Sequence, residues 1–395
     1  MRPDLQRSFI DKVSDESYAR FKSELNKSLG VEIAFRVCEM PIFVSHDFRK
    51  VLESSAIEII QQCVRPEYLA QSESTLTPGT TARNQNDRPL FSVVDFAVCA
   101  DDNGNWQPKL IELQGFPSLL GYQYLYASRL RESYELLDTT PFLHELDRDS
   151  YLDLLRTSIY AGYNPSDVAL VEVDPLTQKT RPDFIALEQL IGLQTINIRD
   201  IAKVGKGLFF RDSDGNQQQL KRIFNRAIVD ELDDMNVHLN FSWSDDLDVE
   251  WAGHPNWYFR ISKFALPYLD HPAAPKTWFL HELQHIPEDL HRYVLKPLYS
   301  FAGKGVNVNP TRADIESIPT EQRDGWVLQE KVVYAECIET PHGMNKVEIR
   351  IMLIWPDGND APIPVMSLAR TGRGQLMGAR YNVEPWTGST GCLFV

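Results

Sequence analysis

Apolar and polar positions alternate along the chain in patterns that change three times. In the first sixty residues Val51, Leu52, Ile57, Ile59 and Ile60 sit among charged neighbours at helical spacing, and the stretch is expected to be helical. Residues Ser72 to Arg88 are rich in Ser, Thr, Asn and Pro and read as a loop. Two strands are then expected, Phe91–Ala100 and Lys109–Leu113, joined through the hairpin turn Asp101-Asp102-Asn103-Gly104-Asn105. From Ser166 the pattern becomes strand, helix, strand. Val168–Val173 is apolar apart from Glu172, Pro182–Leu193 carries Phe184, Leu187, Leu190 and Ile191 at helical spacing, and Thr195–Ile198 is extended. That order predicts a βαβ unit and a parallel sheet. A second hairpin is expected between Gly207–Phe210 and Leu220–Ala227, making Tyr151–Asp230 a small α/β domain set into a larger one. The last third alternates strands (Tyr293–Pro297, Trp326–Val333, Val347–Trp355) with glycine-rich loops.

Composition narrows the function classes. Forty Lys and Arg against fifty-five Asp and Glu give a net charge of −15, which disfavours nucleic acid and anionic membranes as partners. No apolar run reaches the roughly 20 residues that span a bilayer, and the N-terminal residues lack a signal-peptide core. Five scattered cysteines without a CxxC pair suit a reducing compartment. A soluble cytoplasmic protein with no nucleic-acid or membrane partner is therefore expected.

Four constellations can carry chemistry. Lys296-Pro297 leads into Ser300-Phe301-Ala302-Gly303-Lys304-Gly305, where a lysine leaving a strand before a glycine turn can meet a phosphate; the alternative is a surface hairpin. Gln329-Glu330-Lys331 interrupts an apolar strand and suits an adenine-side hinge, the alternative being an edge strand with one wet face. Glu112 and Gln114 lie two apart on a strand, so both point to one face and can offer oxygens to Mg²⁺. Arg222, Arg226, Lys263, Arg350 and Arg370 are read as strand cations suited to carboxylate or phosphate, or to plain ion pairs. A competing motif is His281-Glu282-Leu283-Gln284-His285 with His291, a literal HExxH that on a helix would suit zinc, although Pro287 and Glu288 fit it badly. The GxGxxxG spacing of Gly372, Gly374 and Gly378 follows no evident strand and opens no helix, so a dinucleotide fingerprint is rejected.

In their order these pieces resemble the circularly permuted ATP-grasp ligases, nearest to eukaryotic-type glutathione synthetase and more loosely to glutathionylspermidine synthetase. The resemblance spans roughly Arg88 to Val395. It implies an α/β ATP-grasp fold in which residues 1–150 hold a helical region and the magnesium-ligand hairpin, 151–235 an inserted α/β substrate domain, and 236–395 the nucleotide-binding region. It implies Mg²⁺ on Glu112 and Gln114. ATP would lie on Lys263, Lys296, Ser300, Gly303, Lys304, Gly305, Gln329, Glu330, Lys331 and Arg350. Substrate would meet Arg88, Asp95, Ser118, Arg226, Arg370 and Thr371, with Arg226 and Arg370 as the catalytic pair. Three positions depart from the family pattern. Gln114 replaces an asparagine, Ser300 replaces a metal carboxylate for which Glu348 or Glu336 could substitute, and Gly372 replaces a terminal-loop lysine. The implied reaction is ATP-dependent joining of a carboxylate to an amine (amino acid, peptide or polyamine) through an acyl phosphate, releasing ADP and phosphate. A homodimer is expected only from the resemblance. The alternatives are a zinc peptidase built on the HELQH segment and an ATP-binding relative without catalysis.

Overall fold

The computed structural model describes residues 1–76, 79–212, 214–229, 232, 235–299, 305–378 and 381–395. The chain is a mixed α/β structure whose centre is a six-stranded antiparallel sheet assembled from distant parts of the sequence. Strand Gly343–Ile354 lies between Phe91–Ala100 and Ile363–Gly372; Trp106–Gln114 and Gly388–Thr390 flank them, and Ile338–Thr340 pairs with Gly343–Ile354. Alternation decides the two faces. Val347, Ile349, Ile351 and Leu353 are fully buried toward the N-terminal helices, while Lys346, Glu348 and Arg350 project to the opposite face. Helix His46–Gln62 covers the apolar face. Helix Asp15–Leu29 starts in a capping box between Ser14 and Ser17 and stops at Gly30 in the left-handed region. A parallel pairing of Ile42–Val44 with Cys392–Phe394 ties the two ends of the chain together.

Two further layers surround this sheet, each with its own apolar core. The inserted unit is a four-stranded parallel sheet in the order Glu250–Ala252, Arg222–Asn225, Val168–Glu172, Gln194–Asn197, with helix Arg181–Ile191 as the crossover. Its last strand lies beyond residue 235. The expected second hairpin is only half present. Gly207–Arg211 pairs with Gln217–Leu220, but the chain changes sheets at Lys221, and Arg222–Asn225 joins the parallel sheet instead. A tethering bond from the Lys221 amide to the Asp167 carbonyl marks that change.

The third layer is a three-stranded antiparallel sheet in which Trp326–Glu330 is central, between Thr277–Phe279 and Tyr293–Pro297. The edge-strand alternative for Trp326–Val333 is thereby overturned. The strand also ends at Glu330, because Tyr293, its last partner, begins its own strand there. Beyond it the chain crosses to the central sheet, where the Ala335 amide bonds the Val98 carbonyl.

The HELQH segment is not a helix. Leu280–Glu282 is one 3-10 turn and Leu283 is already extended, since the segment must bridge two paired strands in thirteen residues and Pro287 forbids a continuous helix. Lys263 likewise sits at the start of a 3-10 helix, Lys263–Tyr268, rather than on a strand, and Arg226 follows its strand rather than lying in it. Gly372 ends the ten-residue strand Ile363–Gly372, correcting the expectation that no strand precedes the GxGxxxG spacing; among the described residues no helix follows it. The region from Ser72 opens with the end of helix Pro66–Ser72 and a 3-10 turn, Glu73–Thr75, before becoming irregular. Among the described residues no helix is long and apolar enough to cross a membrane.

Candidate functional site

The polar face of the central sheet and the inner face of the three-stranded sheet enclose a cavity of about 660 Å³. One wall is Asp95, Glu112, Gln114, Lys346, Glu348, Arg350 and Arg370; the other is Val294, Lys296, Gln329 and Lys331. Among the described residues, six cationic side chains (Lys263, Lys296, Lys331, Lys346, Arg350, Arg370) face three carboxylates (Asp95, Glu112, Glu348). In a chain of net charge −15 that reversal marks the cavity as a place for an anion.

A β-bulge shapes its floor. Asp95 pairs with Glu112 while Phe96 pairs with Leu110, so Ile111 is the extra residue. The bulge turns the Ile111 carbonyl out of the ladder, and it accepts from Lys296 Nζ at 3.0 Å. Lys296 also donates to Gln329 Oε1 at 2.6 Å, and Gln329 is in turn fixed by donating to Thr277 Oγ1 at 3.1 Å. With only 7% of its surface exposed, Lys296 is pushed by burial from lysine's usual 10.5 down to about 8. Lys263, equally buried, stands 3.2 Å from Glu112. Gln114 lines the cavity beside them.

Across the sheet a second group of charges is set by strand register. Arg350 lies opposite Asp95 and Arg370 opposite Glu348. Arg350 holds Asp95 in bidentate fashion at 2.6 and 2.6 Å; Arg370 bonds Glu348 at 2.6 Å and Asp95 at 3.4 Å; Tyr334 donates to Glu348 at 3.1 Å. Burial works against the Asp95 anion, but the two guanidiniums more than offset it and its carboxyl stays below the usual range. Burial pushes Glu348 up, with Arg370 pulling the other way. Burial also opposes the charge of Arg370, yet its two acids hold it above an ordinary arginine.

Not every expected residue reaches the cavity. Arg88 packs 5.3 Å over the Trp355 ring, donates to the Asn359 carbonyl and lines a separate depression with Gln61 and Asp87. Thr371 points to the other face of its strand, toward Cys38 and the Trp386 carbonyl, and Glu330 is not among the lining residues. Ser118 touches it indirectly, accepting from Arg350 at 3.3 Å. Gly305 turns at φ 75° against Pro297 and returns the chain so that Val306 and Val308 close the cavity; Asn307 pairs with Leu295. Ser300, Gly303 and Lys304 lie outside the described residues. Tyr334 and Lys346 belong to the site although no motif flagged them. For Lys346 the signal was present in Lys346, Glu348 and Arg350 recurring at two-residue spacing.

Arg226 occupies a second place, where the parallel sheet reverses its order. The crossover runs from Val168–Glu172 outward to Gln194–Asn197, and the next strand, Arg222–Asn225, returns to the other side of Val168–Glu172. The carboxyl ends of these two strands form a switch point, the usual ligand crevice of parallel sheets. Arg226 donates through Nη1 to the carbonyls of Pro117 and Ser118 and lies between the Phe116 and Phe184 rings at 5.4 and 5.8 Å. Its Nε, Asn225 Oδ1 and Asp183 Oδ2 are buried without a hydrogen-bond partner. Burial pushes the Asp183 carboxyl up to about 6, partly countered by Arg226. Thr180, the N-cap residue of the crossover helix that carries Asp183, lines the main cavity.

The HELQH side chains assemble no metal centre: His281 stands 3.9 Å from Glu282, and among the described residues no group of three His, Cys, Asp or Glu is placed to hold a metal ion. The five cysteines are buried and free.

No family model and no curated protein matches the chain by sequence. By structure it is similar to a glutathione synthetase-like effector from Globodera pallida, solved in its apo form, with a TM-score of 0.58 and 12% identity over 96% of each chain. The likeness is one of fold: the chain has a glutathione synthetase-like architecture.

Proposed function

We propose that the chain is an ATP-grasp ligase that joins a carboxylate to an amine at the expense of ATP. The observation that carries this reading is the cavity itself, a cationic space between two antiparallel sheets with two buried lysines turned into it, Lys296 from the three-stranded sheet and Lys263 from the 3-10 helix Lys263–Tyr268. The glutathione synthetase-like fold supports it.

Phosphoryl transfer depends on positioning and charge neutralisation more than on a nucleophilic side chain. Lys296, already neutral-bonded to Ile111 and Gln329, can offer its charge to phosphate oxygens without first breaking an ion pair. Glu112 and Gln114 fit a Mg²⁺ ion, which takes few protein oxygens and completes its shell with water and phosphates. When bound, that ion would screen phosphate charge. Val294, Val306, Val308, Val332 and Val333 give the cavity an apolar side suited to a base. At the switch point, the unpartnered Nε of Arg226 would receive a substrate carboxylate, and Asn225 Oδ1 and Asp183 Oδ2 would accept from an ammonium or amide. That set of groups favours an amino acid or peptide over a simple acid as the substrate to be activated; the attacking amine is an amino acid, peptide or polyamine. Val306, Val308 and Gly374, which line the cavity, would help keep water from the acyl phosphate.

The test is release of ADP from ATP and Mg²⁺ in the presence of paired pools of amino acids, short peptides and polyamines. ADP release that requires both a carboxylate and an amine supports the ligase. Nucleotide binding with no ADP release from any pair would assign the chain to the non-catalytic relatives instead.

A further inference from the structure

Five of the six cations in the cavity already have a partner in the chain. Lys263 faces Glu112, Lys296 faces Ile111 and Gln329, Lys331 donates to Asn309, and the two arginines share Asp95 and Glu348. Lys346 is half-buried and lines the same cavity, yet among the described residues it has no hydrogen bond and no ion pair. Acids outnumber bases across the chain, yet none of the described ones pairs with Lys346. Its position adds a second observation. Lys346 lies directly opposite Gly372 in the strand register, at the point where the terminal loop begins to line the cavity through Gly374, Gln375 and Leu376. At Gly372 a Cβ would stand 2.3 Å from Asn382 Oδ1, so a side chain there would have to displace the Asn382 amide, which donates to the Met377 carbonyl. Among the described residues, the cation at this end of the cavity is Lys346, on the neighbouring strand.

We infer that Lys346 binds the polyphosphate of the nucleotide, supplying a positive charge from strand Gly343–Ile354 opposite Gly372. The inference rests on the nucleotide reading of the cavity. It differs from the roles of Lys263 and Lys296 in that Lys346 reaches the ligand from strand Gly343–Ile354 and, among the described residues, has no partner of its own. A phosphate contact of this kind contributes the strength of one charge-assisted hydrogen bond.

The experiment compares ATP, ADP and adenosine binding by calorimetry for the wild type, Lys346→Met and Lys346→Arg, with the unliganded melting temperature measured for each. Methionine keeps the apolar stem of the lysine and removes the charge. The expected result is ATP affinity about ten- to a hundredfold weaker in Lys346→Met, adenosine affinity unchanged, partial recovery in Lys346→Arg, and a melting temperature no lower than the wild type's. Wild-type binding of ATP with Lys346→Met within twofold of it would overturn the inference while leaving the nucleotide site standing. A wild type that binds none of the three would overturn the nucleotide reading and this inference with it.

Discussion

The two walls of the cavity handle charge in opposite ways. On the central sheet, Asp95, Glu348, Arg350 and Arg370 answer one another across neighbouring strands, so each buried charge meets an opposite one at hydrogen-bond distance. On the three-stranded sheet, Lys296 is just as buried but has only neutral oxygens, from Ile111 and Gln329. A closed network resists change, because loss of one member strands the others. A buried cation with neutral partners is unfavourable until an anion arrives, and burial has already brought its pKa close to neutrality. The first arrangement shapes a surface; the second awaits a ligand. Burial alone would not have separated them.

The sharpest way to break this contrast is Arg350→Met. It leaves Asp95 buried with a single long contact to Arg370, and a stability loss of about 3–5 kcal/mol is expected in chemical denaturation. The paired change Asp95→Asn with Arg350→Met should recover most of that loss; equal losses for single and double variants would mean the network is not closed.

Asp183, at the switch point, sharpens the picture with a smaller effect. Its folded pKa of about 6 lies above the ordinary 3.8, so the folded chain holds a proton that the unfolded chain releases. The group's contribution is therefore most favourable below about pH 4, is lost as pH rises toward 6, and stays lost above it. Relative to wild type, Asp183→Asn should gain stability between pH 4 and 6, by up to about 3 kcal/mol. Parallel stability profiles for the two proteins across that window would contradict the assignment.

The smallest effect belongs to Lys296 itself. Loss of its proton near pH 8 should weaken ATP binding by at most about tenfold per pH unit above that value, measured by titration from pH 7 to 9.5. Affinity independent of pH over that range would place the charge elsewhere.

Much of this was legible in the sequence, and the losses have physical causes. The hairpin strand Phe91–Ala100 falls where its apolar run and Asn103-Gly104 turn require, and the βαβ unit follows from helical and extended periods in order. Gln114, Lys263, Lys296, Gln329, Arg350 and Arg370 do come together around one cavity. The bulge at Ile111 carries no glycine or proline to announce it, since it arises from pairing with Phe91–Ala100. The Asp95–Arg350 and Glu348–Arg370 partnerships depend on register between strands some 250 and 20 residues apart, which periodicity along one strand does not encode. HELQH misleads because five residues of local pattern are overruled by the strands on either side.

The central claim is that the cavity holds a nucleotide by its phosphates, with Lys296 as the buried anchor. Calorimetric titration with a non-hydrolysable ATP analogue, with and without Mg²⁺, on wild type and Lys296→Ala tests it most directly. The account predicts magnesium-dependent binding by the wild type, lost by about a hundredfold or more in a variant that remains folded. Equal affinity in the two proteins, or no binding by the wild type, would contradict it.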